Sequence, residues 1–148
     1  MLITADQILA HLVGDYILQS DWMANEKTKQ SIAAAIHALW YALPFLFFRP
    51  SVAAFTFIVV THFVIDRWRL ARYVVWAKNF IAPPLPRCPS ITCCWPEASC
   101  FHWNNPPFAE CAQTGYPPER PIWLATWLLI IADNTLHLIC NGIAMRWL

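Results

Sequence analysis

Residues 122–148 read IWLATWLLIIADNTLHLICNGIAMRWL, with Asp133 as the only charge before Arg146. About 20 predominantly apolar residues suffice to carry a helix across a bilayer, so this stretch predicts a membrane span. The rest of the chain shares its bias. Its 148 residues are 58% hydrophobic and 13% charged, with a mean hydropathy of +0.41. Soluble domains carry roughly 25% charged residues, and one this small could not hide so much apolar surface. Lipid is the expected solvent. The fold class is therefore all-α, a single membrane domain over 1–148 built as a polytopic helical bundle of about four helices.

Working outward from that span, three further apolar segments appear. Residues 3–24 read as a helix with Thr4 or Asp6 as N-cap, followed by a polar turn over 25–30 that carries two lysines. Ser31 can cap a second helix over 32–48, where Pro44 is a candidate kink. Arg49 and Pro50 make a tight turn. A third helix runs over 51–78, apolar to Ile65 and then basic and amphipathic. Segments two and three are near the short limit for a span, and the first can lie partly in the interface. Asp6, His11 and Asp15 interrupt any signal-peptide core. Residues 82–121 hold ten of the twelve prolines and five of the six cysteines, and predict an extramembrane Pro/Cys-rich loop between helices three and four.

Basic residues set the orientation. Lys27, Lys29, Arg67, Arg69, Arg72, Lys78, Arg87 and Arg120 gather on one face, against Arg49 and Arg146 on the other. The crowded face is expected to be cytoplasmic, with both termini outside. The net charge of +1 and the lack of a basic arm give no reason to expect a nucleic-acid partner. Trp22, Trp40, Trp68, Trp76, Trp123 and Trp147 suit interfacial anchoring. The basic run 67–78 suits lipid headgroups or a substrate phosphate.

The polar residues inside the apolar segments carry the chemistry. Gln7, His11, Asp15 and Gln19 recur every four residues, which puts them on one helical stripe. His62 and Asp66 repeat the pair on the third helix. Asp133, His137 and Asn141 form a third stripe in reverse order, with Asn134 beside it, and His37 stands alone in the second helix. Ionisable groups at membrane depth are costly and usually functional. At 1.5 Å per residue, Asp15 and His37 lie about 9 Å, and Asp133 about 16 Å, below the cytoplasmic ends, so all can converge in one half of a bundle. Imidazole with carboxylate is the ligand set of zinc, iron or manganese.

A single His–Asp pair would read as a helix clamp, worth only about 0.6–2 kcal/mol in a membrane. Three pairs and a fourth histidine favour a metal or catalytic site, with a proton or ion pathway as the other functional reading. The expected ligands of a divalent ion (zinc, manganese or iron) are His11, Asp15, His62, Asp66, Asp133 and His137. His37 is a seventh ligand or the general acid. Cys88, Cys93, Cys94, Cys100 and Cys111 form no C-x-x-C pair of the kind zinc sites use, although His102 lies near them. Cys140 reads as a small packing residue.

Several blocks resemble a known family. His11-Leu-Val-Gly-Asp-Tyr-Ile-Leu-Gln19 with Asp21-Trp-Met-Ala24, then Thr61-His-Phe-Val-Ile-Asp-Arg-Trp-Arg-Leu-Ala-Arg-Tyr73, and finally Thr114-Gly-Tyr-Pro-Pro-Glu-Arg-Pro121 with Ile131-Ala-Asp-Asn-Thr-Leu-His-Leu138, are similar to the phage- and prophage-associated membrane proteins called domain of unknown function 3307. The resemblance implies a multi-pass protein of a bacterial inner membrane and hands over no activity. A looser likeness, resting on His and Asp in membrane helices, is to membrane-bound metal-dependent hydrolases. Together these readings predict hydrolysis of a lipid-linked ester or phosphoester, with water activated by the ion and membrane lipid as the surrounding partner. The rival expectation is a non-enzymatic phage membrane protein that modifies the host envelope or excludes other phages. In that case the polar stripes lock helices, bind a host membrane protein or build a homo-oligomer.

Overall fold

The computed structural model describes residues 3–81, 107–118 and 120–148, and every described element is helical. Most of the expected Pro/Cys-rich loop, with Cys88, Cys93, Cys94, Cys100 and His102, lies outside the described residues. The chain divides into two compact units, Met1–Ala71 with Ile130–Leu148, and Arg72–Leu129.

The first unit begins with α1, Ala5–Leu12. Thr4 caps it reciprocally: the Gln7 amide donates to Thr4 Oγ1 at 3.3 Å and the Thr4 amide to Gln7 Oε1 at 3.1 Å, which satisfies two otherwise orphaned donors. The continuous helix expected over 3–24 is broken into three pieces. After α1 the backbone widens into a π-turn, Val13–Ile17, closed by the Leu18 amide on the Val13 carbonyl at 3.0 Å. Ser20 then starts α2, Asp21–Glu26, by accepting from the Met23 amide. Serine favours an N-cap over a helix interior, and here it ends the stripe of four polar residues.

Helix α3, Ser31–Ala42, has Gln30 rather than Ser31 at its N-cap. At Pro44 it tightens into a 3-10 helix, Leu43–Phe48, and Arg49 turns the chain in the left-handed region at φ 52°. Ser51 caps α4, Val52–Trp68. That helix ends one turn after Asp66, where Arg69 takes φ 50° and its amide bonds the Asp66 carbonyl at 3.2 Å. The expected uninterrupted third helix is thus divided, and α5, Leu70–Ile81, follows. A left-handed arginine costs about 1–2 kcal/mol, and no glycine or asparagine announces the break in sequence.

Among the described residues, two stretches are long and apolar enough to cross a membrane: Ser31–Phe48, with a mean hydropathy of 1.7, and α7, Ile122–Trp147, with 1.5. The contact between α3 and α4 is the most extensive in the unit. Ala33, Ala34, Ala38 and Ala42 of α3 are buried, and small residues allow close helix approach. One end of the unit is apolar, with Ala10, Tyr41, Phe45, Ala54, Ile58 and Ala144 packed together. Beyond it the buried residues turn polar: Gln7, His11, Asp15, His37, His62, Asp66, His137 and Asn141.

The second unit is held by cation–aromatic contacts. α6, Phe108–Cys111, sets the Phe108 ring 4.5 Å from that of Tyr73, with the Arg72 guanidinium 5.6 Å above it. Arg72 also donates to the Ala112 carbonyl at 3.0 Å.

Candidate metal centre

Three elements of the first unit supply the site. The π-turn presents Asp15, α3 presents His37, and α4 presents His62 and Asp66 one turn apart on the same face. Gly14 makes the first placement possible. A Cβ there would lie 2.5 Å from the Tyr41 carbonyl oxygen, so only glycine lets the π-turn rest on the α3 backbone.

The donor atoms converge. His37 Nε2 is 3.0 Å from His62 Nε2, 3.2 Å from Asp15 Oδ1 and 3.2 Å from Asp66 Oδ2. His62 Nε2 is 3.2 Å from Asp66 Oδ2 and 4.0 Å from Asp15 Oδ1. One ligand atom from each of the four residues lies within 4.8 Å of all the others. These buried groups can hold a metal ion. These separations of 3.0–4.0 Å are of the size that donors around one ion would have with metal–ligand bonds of about 2.1 Å.

Asp66 Oδ2 and the far nitrogens Nδ1 of His37 and His62 are buried and make no hydrogen bond among the described residues. Neighbours of Asp66 Oδ2 are close in distance but off the angle that a directed bond needs.

A second group adjoins the first and shares Asp66. His137 Nε2 is 3.3 Å from Asp66 Oδ1 and 3.5 Å from Asp133 Oδ2, and these three residues also offer ligand atoms within 4.8 Å of one another. The His62 and His137 rings lie 4.2 Å apart.

His11, expected among the ligands, joins neither group. Its Nε2 lies 2.6 Å from Asn134 Oδ1 and its Nδ1 2.9 Å from the Tyr41 hydroxyl, so both ring nitrogens are engaged in hydrogen bonds. A carbonyl oxygen can only accept, so Nε2 is the donor and Nδ1 accepts from Tyr41. Asn141 donates to the same hydroxyl at 2.6 Å. His11 and Asn141 thereby orient Tyr41, whose ring stacks on His62 at 3.6 Å and 14°. The other stripe members go elsewhere: Gln7 closes the helix cap and Gln19 accepts from Lys27 at 3.0 Å.

Lys27 is the participant that helical spacing does not reveal. It follows α2 in the turn, and its ammonium reaches back to 2.8 Å from Asp66 Oδ2, 3.7 Å from Asp15 Oδ1 and 3.3 Å from His37 Nε2. Burial works against its charge, but Asp66 and Asp15 outweigh that and hold its pKa above the ordinary lysine range. Two buried carboxylates, Asp15 and Asp66, then face one ammonium, and buried charge left unmatched is costly.

Of the described cysteines, Cys111 lies buried in α6 and Cys140 half-buried in α7.

The family model described as Protein of unknown function (DUF3307) matches residues 3–82, which includes Asp15, Lys27, His37, His62 and Asp66. No curated protein and no solved structure matches the chain.

Proposed function

This chain belongs to the DUF3307 family of proteins of unknown function, and from its site we propose that it is a membrane-embedded, divalent-metal-dependent hydrolase of a lipid-linked ester or phosphoester. The observation that carries this reading is the convergence of Asp15, His37, His62 and Asp66 within 4.8 Å from three separate elements. Buried imidazole and carboxylate donors would suit a divalent zinc, manganese or iron ion. An ion there supplies a lowered water pKa and a polarised scissile group. His37 then serves as a ligand through Nε2, which leaves no free nitrogen at the ion for the general-acid role. Lys27 stays protonated beside the carboxylates and adds a positive charge for an anionic substrate group.

The expected location is a bacterial inner membrane crossed several times, with the site towards the cytoplasmic side, where Lys27, Lys29 and Arg67 gather. The two apolar stretches Ser31–Phe48 and Ile122–Trp147 support that reading. Membrane lipid would surround the site, and a lipid-linked substrate could approach from the plane of the bilayer.

Lys27 also supports a second reading. Its ammonium already neutralises part of the carboxylate charge, as it would in an ion network that only locks helices. The protein would then be a non-enzymatic membrane protein of phage type, acting on the host envelope or on a host membrane protein. A turnover assay separates the two. In mixed micelles with a fluorogenic phosphoester lipid, the Mn(II)-loaded chain should release the alcohol, and Asp15→Asn should abolish release. Bound metal without turnover of phosphoester or carboxylic-ester lipid would contradict the hydrolase.

A further inference from the structure

We infer that Asp66 is a bridging ligand and that Asp66, Asp133 and His137 hold a second divalent ion, which makes the site a two-metal centre for an anionic phosphoester. This rests on the reading of the first ion given above.

The two oxygens of Asp66 face different partners. Oδ2 lies 3.2 Å from both His37 Nε2 and His62 Nε2, while Oδ1 lies 3.3 Å from His137 Nε2. Asp133 Oδ2 lies 3.5 Å from the same nitrogen, and ligand atoms of the three residues lie within 4.8 Å of one another. His137 is 1% exposed, and its Nε2 makes no hydrogen bond among the described residues. A buried imidazole nitrogen is therefore aimed between two carboxylate oxygens without a directed bond to either. Were His137 of α7 and Asp66 of α4 merely a helix clamp, a directed bond between them is what would make the pair worth keeping.

The two groups differ in access. The carboxylates of the first group have side chains 8% and 3% exposed, whereas the Asp133 side chain is 28% exposed. The second group has only three protein donors, the arrangement in which catalytic metal sites keep a position open. A carboxylate that gives one oxygen to each of two ions suits the spacing of about 3.5–4 Å found in two-metal hydrolytic centres. Such centres stabilise the attacking and leaving oxygens of a displacement together.

Charge selects the substrate. Two dications and the Lys27 ammonium exceed the three carboxylates by two positive charges, so the loaded centre favours an anionic phosphoester over a neutral carboxylic ester. In the reaction, the oxygen of water bonds to phosphorus and the bond from phosphorus to the leaving oxygen breaks. One water proton passes to that oxygen to give the alcohol, and the other stays with the new phosphate acid.

The full chain, purified in detergent, stripped by a chelator and titrated with Mn(II) alone, should bind two ions with a spin-coupled paramagnetic resonance signal. Asp133→Asn and His137→Ala should each reduce this to one uncoupled ion. Asp133→Asn keeps the side-chain shape and decides the matter if His137→Ala fails to fold. One ion in the wild type, unchanged in the variants, overturns the second ion while leaving the first. Two ions retained in both variants overturn the assignment to these residues. No bound ion in the wild type overturns both readings.

Discussion

Lys27 sits where a bound dication would be felt most. Its ammonium lies 2.8 Å from an oxygen of Asp66 and 3.7 Å from one of Asp15, so it both screens and competes. Two unit charges about 4 Å apart at an effective dielectric near 20 interact by about 4 kcal/mol. Lys27→Met should therefore bind Mn(II) at least tenfold more tightly, about 1.4 kcal/mol, as read by calorimetric titration. Without metal the same variant should melt earlier, because two buried carboxylates lose their counter-charge, and Mn(II) should restore the melting temperature. A variant that loses stability and gains nothing from Mn(II) would mark Lys27 as a structural partner only. Sequence shows this residue as one lysine of a polar turn, because a side chain that reaches back from a turn leaves no helical spacing to detect. His11 errs in the opposite direction. Its position on the stripe is legible, but its partners Tyr41 and Asn134 come from other helices, and spacing within one segment carries no information about them.

At the scale of elements, intact helices keep what their spacing promises and broken ones do not. His62 and Asp66 lie one turn apart in α4, which is unbroken between them, so their shared face follows from 3.6-residue periodicity alone. Asp15 lies in a π-turn, a local widening often found at functional sites. The turn gives Asp15 to the cluster with His37, His62 and Asp66 and leaves His11, four residues earlier, in a separate hydrogen-bond network. The left-handed Arg69 has no glycine or proline signal that would announce it, whereas the π-turn carries Gly14. The close approach of Gly14 to the Tyr41 carbonyl is the local feature that fixes the turn. Gly14→Ala brings a methyl to 2.5 Å from that oxygen, and relieving the contact should cost about 1–3 kcal/mol. The expected outcome is a lower melting temperature together with weaker Mn(II) binding, since Asp15 shifts with the turn. Unchanged Mn(II) affinity in a folded Gly14→Ala chain would mean that Asp15 is not a ligand.

For the whole molecule, helix packing decides which ends share a face. In the first unit Arg67 donates to the Thr28 carbonyl at 2.8 Å, while Ser51 donates to the Leu148 carbonyl at 2.6 Å. The first contact gathers the basic end of α4 with the turn that carries Lys27. The second places the C-terminal end of α7 beside the start of α4. The asymmetry of lysines and arginines read from sequence thus follows a division of ends within this unit, with the polar donor cluster nearer the basic end. An apolar chain that buries four histidines and two carboxylates in one unit bears a heavy desolvation cost, and a bound cation is the simplest way to offset it. The most direct test is the metal content of the detergent-purified wild-type chain and of His62→Ala, measured by elemental mass spectrometry after reconstitution with Mn(II). The wild type should hold at least one ion per chain, and His62→Ala, still inserted and monodisperse, should lose it. Equal metal in the two proteins, including none in either, would contradict the metal centre.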